Sequence, residues 1–279
     1  MLTFKQYISE AGSPRTVPVS AKSAFETIDK HCQAFARSMS KQQIYRGGSG
    51  FDGFTTYHGN SNSGNPRKSA NTENYFTLWH DNNPDWSDFP KRSRSFICSN
   101  DIDIAGSFGD VHLLVPYDDA HIGVVPDEDL FGAIISPDGD YLSVFNEIIK
   151  AVLDAVSTEH KLNNHITTYD QLSDYLKLAT MELLEKSKSH LIRKAIGHMD
   201  QYDAKTYYEV VRRCYNPKNF KEGKASSIVL SKDVNELYIQ GEAVFLPYSY
   251  RSFDRKAYPK EYTQLLQLAV EKYNWDIDA

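Results

Sequence analysis

The spacing of hydrophobic residues predicts helices near the start, in the middle and at the end of the chain. From Ser23, apolar side chains recur at helical intervals, and Ser23-Ala-Phe-Glu26 has the spacing of a capping box. Between about 141 and 215, three further apolar stripes predict a block of helices, which Asn216-Pro217 ends. A last amphipathic helix is predicted from Tyr262 to Tyr273. The first stripe consists of Phe25, Ile28, Cys32, Phe35 and Met39.

Short apolar runs on both sides of the helical block predict β-strands. Before it lie "IY" (44–45), the segment 93–99, and "VHLLVPY" and "HIGVVP", which we predict to be neighbouring strands. After it lie "SIVL", "NELYI" and "AVFLP". Strands, helices and strands in this order predict an α+β fold whose two β portions pair across a helical insertion. The Gly-, Ser- and Asn-rich stretch 58–74 predicts a long loop, a feature that is often functional.

Composition excludes several classes of protein. The 279 residues carry a formal charge of −6, which argues against binding nucleic acid through bulk electrostatics. The three cysteines are widely spaced without a CxxC pair, and the nine histidines form no HExxH motif, so neither a disulfide framework nor a metal site is expected. No apolar run approaches the roughly 18 residues of a membrane span. We therefore expect a globular protein without a membrane segment.

Three features in distant parts of the sequence are candidates for chemistry. Arg46 ends a short strand beside glycines, hydroxyls and cations precede the strand in "KRSRSFICSND", and Glu236 opens the strand in "NELYI". Each has an ordinary alternative: a surface cation, serines that bond to nearby backbone, and a solvated strand end. Together they have the order arginine, serine-containing strand, glutamate.

This order resembles the arginine-serine-glutamate class of ADP-ribosyltransferases. "IYRGG", "KRSRSFICS", "AGSFGDVHLLVP", "IGVVPDEDL" and "NELYIQGEAVFL" are similar, in order and character, to ADP-ribosyltransferase-like proteins of tailed phages. The resemblance covers roughly residues 40–135 and 225–250. It implies a split two-sheet core with NAD+ in the cleft between the sheets, and NAD+ as a substrate without a metal.

The resemblance assigns roles to individual residues. Arg46 would clamp the pyrophosphate, because a guanidinium offers a planar, permanently charged fork, and Gly47 would let the backbone approach the dinucleotide. The serine that binds the nicotinamide ribose is Ser99 or Ser95, since Cys98-Ser99-Asn100 replaces the usual Ser-Thr-Ser. Cys98 is expected to be a further cofactor contact. Tyr45, Phe96 and Phe108 either offer stacking surfaces to the cofactor or pack in the core.

The glutamate of this class has two candidates. It stabilises the positive charge that develops on the ribose when the bond to nicotinamide breaks. Glu236 fits because three apolar residues follow it, then a tight turn at Gln240-Gly241 and a second strand. Glu242 fits because Gln240-Gly241-Glu242 looks like the Gln-x-Glu pair of asparagine-modifying exotoxins. We rank Glu236 first.

The N-terminus resembles a capsid-targeting peptide. "MLTFKQYISE" ends in Ile8-Ser9-Glu10, which is similar to the cleavage site of a prohead protease. This implies a protein that is carried in the virion head and then released into the host cytoplasm, where a host protein or nucleic acid would accept ADP-ribose.

These interpretations predict four segments. They are an N-terminal targeting segment and linker (1–15), the first part of the core (16–135), the helical insertion (136–222), and the second part of the core with the C-terminal helix (223–279). The predicted function is an enzyme, a mono-ADP-ribosyltransferase. The alternative is a head-internal or DNA-associated protein that retains the fold without catalysis, which the altered serine triplet favours.

Overall fold

The computed structural model describes residues 16–48, 54–66, 75–127, 130–134, 139, 142–163, 165–230, 233–248 and 258–275. The predicted targeting peptide lies outside these residues. The chain divides into two compact units, which are described separately below. Unit 1 comprises Met1–Ala70, Phe89–Glu128 and Asn219–Ala279, and unit 2 comprises Asn71–Asp88 and Asp129–Lys218. The chain is a mixed α+β protein with a large antiparallel sheet.

Unit 1 contains the β-strands. They are β1 (Thr16–Val19), β2 (Tyr45–Gly48), β3 (Thr56–Asn60), β4 (Phe96–Ser99), β5 (Asp110–Pro116), β6 (His121–Val124), β7 (Lys221–Lys224), β8 (Glu236–Gln240) and β9 (Glu242–Pro247). Their order in the sheet is β1-β3-β9-β5-β2-β4-β8-β6-β7, and every pair is antiparallel. The two sheets predicted from the sequence are therefore one hydrogen-bonded sheet in the described residues.

The sheet consists of two halves, one with β1, β3, β9, β5 and β2 and the other with β4, β8, β6 and β7. We call the boundary between β2 and β4 the seam. At the seam, β2 and β4 are joined in the described residues by a single pair, Tyr45 with Ser99. The chain also connects the two halves directly, because only Gly241 separates β8 from β9 in the sequence. The φ of Gly241 is 131°, a conformation that disfavours other residues. Ser61 accepts a hydrogen bond from the Gly241 nitrogen and donates its own backbone N–H to the Gly241 carbonyl. Gln240-Gly241 is thus a crossing between two halves of the sheet, not the turn of a hairpin.

The hydrophobic core of unit 1 lies between these two halves. Phe96 of β4 meets Phe245 of β9 edge to face, with ring centroids 5.1 Å apart. Leu237 and Ile239 of β8 belong to the same buried cluster as Leu113 and Val115 of β5. Burial of this continuous apolar surface is what holds the two halves together.

In the part of unit 1 that the structure describes, three helices pack around the core and a fourth lies beside β2. They are α1 (Ala21–His31), α2 (Gln33–Ser38), α11 (Lys260–Tyr273) and the short α4 (Ile102–Gly106). The C-terminal helix confirms the predicted stripe from Tyr262 to Tyr273, although it begins two residues earlier.

The predicted first helix is correct in its buried face and wrong in its start. All five residues of its apolar stripe are buried, but the N-cap is Ser20, whose hydroxyl accepts from the Ser23 nitrogen. The stripe also spans two helices, with the break at Cys32. Asp118 causes this second start, because its carboxylate accepts from the backbone N–H groups of Ala34 and Phe35.

Unit 2 is helical. Its helices are α3 (Tyr75–Asn82), α5 (Leu130–Ala133), α6 (Leu142–His160), α7 (Tyr169–Leu178), α8 (Met181–Leu184), α9 (His190–Tyr202) and α10 (Tyr207–Cys214). Aromatic rings fill its core: Tyr215 contacts Phe76 edge to face, and its hydroxyl donates to Asn146 Oδ1 at 2.6 Å. Unit 2 contains most of the segment predicted as an insertion and also residues 71–88, which the sequence pattern left with the core.

Two strand predictions are wrong. β5 and β6 are not neighbours, because β2, β4 and β8 lie between them. "SIVL" (227–230) forms no strand. Three strands were not predicted, and β7 shows why: its sequence Lys-Glu-Gly-Lys has no apolar residue. Among the described helices, none has the length and apolar content needed to cross a membrane.

Candidate active site

Arg46, Ser99 and Glu236 line one small cavity in unit 1. These residues come from β2, β4 and β8, and the cavity lies beside the seam between β2 and β4. Its volume is about 20 Å³, roughly the space of one water molecule. The other lining residues are Tyr45, Gly47, Ile97, Cys98, Ile104, Ala105 and Phe108.

Backbone pairing fixes Ser99 and Glu236 relative to each other. The two residues are direct partners across the β4–β8 ladder, and both are buried. Just beyond them, the Asn235 nitrogen donates to Asn100 Oδ1 at 2.7 Å, and Asn235 Nδ2 donates to the Val125 carbonyl at 2.7 Å. Asn235 therefore ties the start of β8 to the strands on both sides of it, a role that the sequence reading missed.

Arg46 is a buried cation, with 7% of its surface exposed. Its Nη1 donates to the Ile97 carbonyl at 2.7 Å, and the guanidinium carbon lies 5.6 Å from the centroid of the Phe96 ring. One side of the guanidinium thus bonds to β4, and the residue also lines the cavity.

The Ser99 hydroxyl has two backbone partners. It donates to the Asn235 carbonyl at 3.3 Å and accepts from the Asp101 nitrogen at 3.0 Å. Asp101 in turn caps α4, because its Oδ1 accepts from the nitrogens of Asp103 and Ile104. Ser99 therefore holds the start of α4, whose residues Ile104 and Ala105 form one wall of the cavity.

The other residues predicted to contact the cofactor do not all lie at the cavity. Cys98 lines the cavity, whereas Ser95 is not among the lining residues and donates its hydroxyl hydrogen to the Lys91 carbonyl at 2.8 Å. Phe96 packs into the core rather than presenting a stacking surface. Tyr45 is also buried, against Tyr248 at 5.4 Å.

Gly47 is required for a reason other than the predicted approach to a dinucleotide. A Cβ at this position would lie 1.8 Å from the Ala105 carbonyl oxygen and 3.3 Å from Phe108 Cβ. The space above Gly47 is thus filled by α4 and the residues after it.

Glu242 lies away from this cavity. It sits at the start of β9, which is separated from β8 in the sheet by β5, β2 and β4. Its side chain is 43% exposed, and Oε1 is 3.7 Å from His58 Nε2. Burial, together with the Glu242 charge, raises the pKa of Tyr117 to about 12. Glu236 thus lines the cavity with Arg46 and Ser99, and Glu242 is not among the lining residues; the catalytic roles of both stay predictions.

Arginine side chains of "KRSRSFICSND" interact with other parts of unit 1. Arg94 Nη1 donates to the carbonyls of Asn62 (3.1 Å) and Gly64 (2.9 Å), which fastens the turn after β3. Burial and the charge of Glu236 raise the pKa of the Tyr238 phenol, and the charge of the buried Arg92 lowers it. The stretch therefore connects parts of unit 1, which is the structural explanation for its density of polar residues.

No protein-family model, curated protein or solved structure matches this chain. Within the residues that the structure describes, no group of three or more His, Cys, Asp or Glu side chains is arranged to hold a metal ion.

Proposed function

We propose that the chain is a mono-ADP-ribosyltransferase that cleaves NAD+ at the nicotinamide ribose and transfers ADP-ribose to a host macromolecule. One observation supports this above all: a guanidinium, a hydroxyl and a carboxylate from positions 46, 99 and 236 line a single cavity. The cavity lies beside the seam between β2 and β4, and we propose it as the site where NAD+ binds.

The chemistry of these groups suits cleavage of the bond between ribose and nicotinamide. Nicotinamide leaves as a neutral molecule, so the reaction needs no general acid. A carboxylate near the ribose stabilises the positive charge that develops there, which is the role proposed for Glu236. Arg46 would bind the pyrophosphate through its planar, permanently charged guanidinium.

The size of the cavity sets a condition on this function. A space of about 20 Å³ holds one water and not a nicotinamide ring. The wall formed by Ile104, Ala105 and Phe108 must therefore move outward when NAD+ binds. Ile104 and Phe108 are only partly buried, whereas Ala105 is buried.

The proposal is tested with NAD+ labelled in its ADP-ribose part, incubated with the full-length protein and bacterial lysate. We expect label on a macromolecule and release of nicotinamide. Glu236→Gln should lower both on the order of 100-fold or more, because the variant removes the charge that stabilises the transition state. Glu242→Gln is the matched control and should react as the wild type does.

A second candidate function is a protein that retains this fold without turnover. The internal hydrogen bonds of Ser99 and the small cavity favour it. It predicts neither label transfer nor nicotinamide release from any variant, and no binding of NAD+ by calorimetry. Loss of activity in Glu242→Gln alone would instead reverse the assignment of the glutamate. The virion location and a prohead-protease cut after Glu10 are further parts of the proposal, and both are tested by mass spectrometry of virions.

A further inference from the structure

The Asn100 side chain extends the β4–β8 ladder beyond its last strand pair. The last pair that the structure describes in this ladder is Ser99 with Glu236. One position further on, Asn100 Oδ1 accepts from the Asn235 nitrogen at 2.7 Å, and Asn100 Nδ2 donates to the Asp233 carbonyl at 2.8 Å. The Asn235 carbonyl accepts from the Asn100 nitrogen at 3.4 Å. A side-chain amide, which has both a donor and an acceptor, thus bonds to the main chain as a neighbouring strand would.

Asn235 connects the same point to the end of β6. Its side chain is buried, with 3% of the residue exposed, and Nδ2 donates to the Val125 carbonyl at 2.7 Å. The main chain of Glu236 is bonded on this side too: its nitrogen donates to the Asp127 carbonyl at 2.9 Å, and its carbonyl accepts from the Val125 nitrogen at 3.0 Å. The peptide that joins Asn235 to Glu236 is therefore held from both neighbouring strands.

The position of this peptide decides where the Glu236 side chain points. Successive side chains of a strand point to opposite faces, so a rotation of the peptide or a shift of the strand by one residue would move the carboxylate to the other face. In the structure, Glu236 lines the cavity and Leu237 is buried in the core. Such a shift would leave the buried amide groups of Asn235 and its partners without hydrogen bonds, which is costly. The bonds of the two asparagines therefore keep the carboxylate at the cavity.

We infer that Asn100 and Asn235 are positioning residues that hold the Glu236 carboxylate where NAD+ cleavage requires it. The inference rests on the proposed function. Neither asparagine is among the described residues that line the cavity, so both act through the main chain of β8 and not on the substrate. A group that stabilises a transition state must be held close to its productive position, and the bonds that fix it matter for the rate as well as for stability.

The test measures kcat and KM for NAD+ with the full-length protein, through the release of nicotinamide. Asn235→Ala removes the bond to the Val125 carbonyl, and Asn100→Ala removes both bonds of the Asn100 side chain. We expect kcat to fall about tenfold or more in each variant, because a displaced carboxylate stabilises the developing charge less. KM should stay within about twofold, because neither side chain binds the substrate. All rates are measured at a temperature at which thermal unfolding shows each variant to be folded, so a lower kcat does not reflect unfolded protein.

Asn100→Asp is the conservative variant. It keeps an oxygen that accepts from the Asn235 nitrogen and loses only the donor to the Asp233 carbonyl. Its kcat should therefore lie between the values of the wild type and of Asn100→Ala. If neither alanine variant folds, Asn100→Asp, which keeps the size and shape of the side chain, tests the inference alone: a kcat below that of the wild type supports it, and an unchanged kcat contradicts it.

Asn83→Ala is the matched control. Asn83 lies in unit 2, is 2% exposed, and makes the same two kinds of side-chain bond. Its Oδ1 accepts from the Asp85 nitrogen at 2.8 Å, and its Nδ2 donates to the Tyr169 hydroxyl at 2.9 Å. Because these bonds are made within unit 2, the variant should lose stability and keep the kcat of the wild type.

The outcomes separate this inference from the proposed function. If Glu236→Gln is inactive while Asn235→Ala and Asn100→Ala keep the wild-type kcat, the positioning role is wrong and the proposed function stands. Equal losses of kcat in Asn235→Ala and Asn83→Ala also overturn the inference, since they show a general effect of removing a buried amide. A rise in KM with an unchanged kcat would instead place the asparagines in substrate binding and overturn it as well. If the wild type does not cleave NAD+, the proposed function fails and this inference fails with it.

Discussion

Glu236 lies directly opposite Ser99 across the β4–β8 ladder, and both side chains line the cavity that Arg46 also reaches. The three residues are separated by 53 and 137 positions in the sequence, so their meeting is a property of the strand order and not of any local motif. Within the described residues, β2 and β4 pair only at Tyr45 and Ser99, so Ser99 takes part in both the β2–β4 and the β4–β8 pairing.

Replacing Arg46 by lysine should weaken NAD+ binding more than it slows cleavage. Lysine keeps the charge but has a single nitrogen in place of the planar fork, so it cannot offer a phosphate two parallel N–H groups while it bonds to the Ile97 carbonyl. We expect KM to rise about tenfold or more, with a smaller change in kcat, measured by nicotinamide release. Arg37→Lys, on the surface of α2, is the control. An unchanged KM in Arg46→Lys would exclude Arg46 as the phosphate ligand.

Gly47→Ala should destabilise unit 1. Its Cβ would lie 1.8 Å from the Ala105 carbonyl oxygen, so α4 would have to shift. The expected loss in the free energy of unfolding is about 1–3 kcal/mol or more, the usual effect of overpacking against backbone. Urea unfolding of Gly223→Ala provides the comparison, because a Cβ there meets no atom within 4 Å among the described residues. Equal stability of the two variants would contradict this packing.

Asp118→Ala should destabilise the start of α2. The carboxylate accepts two backbone N–H groups, at 3.1 Å and 3.0 Å, that the helix itself leaves without partners. A loss of about 0.5–2 kcal/mol in urea unfolding is expected for such a cap. Asp119→Ala, at the next and exposed position, should change stability little. If both variants unfold alike, the cap does not contribute measurably.

The ion pair between Asp85 and Arg212 should make unit 2 less stable in acid. The guanidinium bonds to both Asp85 oxygens, at 2.7 Å and 2.9 Å, and holds the pKa of this carboxyl below its usual value of 3.8. A carboxyl whose pKa is lower in the folded state stabilises above its unfolded pKa, and the contribution is lost as pH falls through the folded one. The stability difference between the wild type and Asp85→Asn should therefore shrink from about pH 4 downward. A difference independent of pH would show that the pair contributes no charge interaction.

The sequence predicted the buried faces of the elements better than their ends and partners. The stripe from Phe25 to Met39 is entirely buried, because helical periodicity reports which side chains avoid water. The start at Ser20 and the break at Cys32 depend on capping groups, and one of these, Asp118, is more than 80 residues away. No local pattern contains that information.

At the candidate site, too, the sequence predicted some features and not others. Arg46, Ser99 and Glu236 were selected as residue types that the chemistry requires, and the structure places them at one cavity. Asn235 was not selected, although it directly precedes Glu236 in the predicted strand segment "NELYI", and this adjacency was the available signal. Gly47 was attributed to ligand approach, because the sequence did not reveal that α4 would pack against it.

Gly241 belongs to both halves of the sheet at once. Residues 236–247 run through it without a loop, so one backbone segment contributes β8 to one half and β9 to the other. Neither half is formed by one continuous segment of the chain. A cut at this glycine therefore does not give two fragments that each keep a full set of strands. A cut at Gly241 would separate β9, the strand that lies between β3 and β5, from the fragment that holds the other described strands.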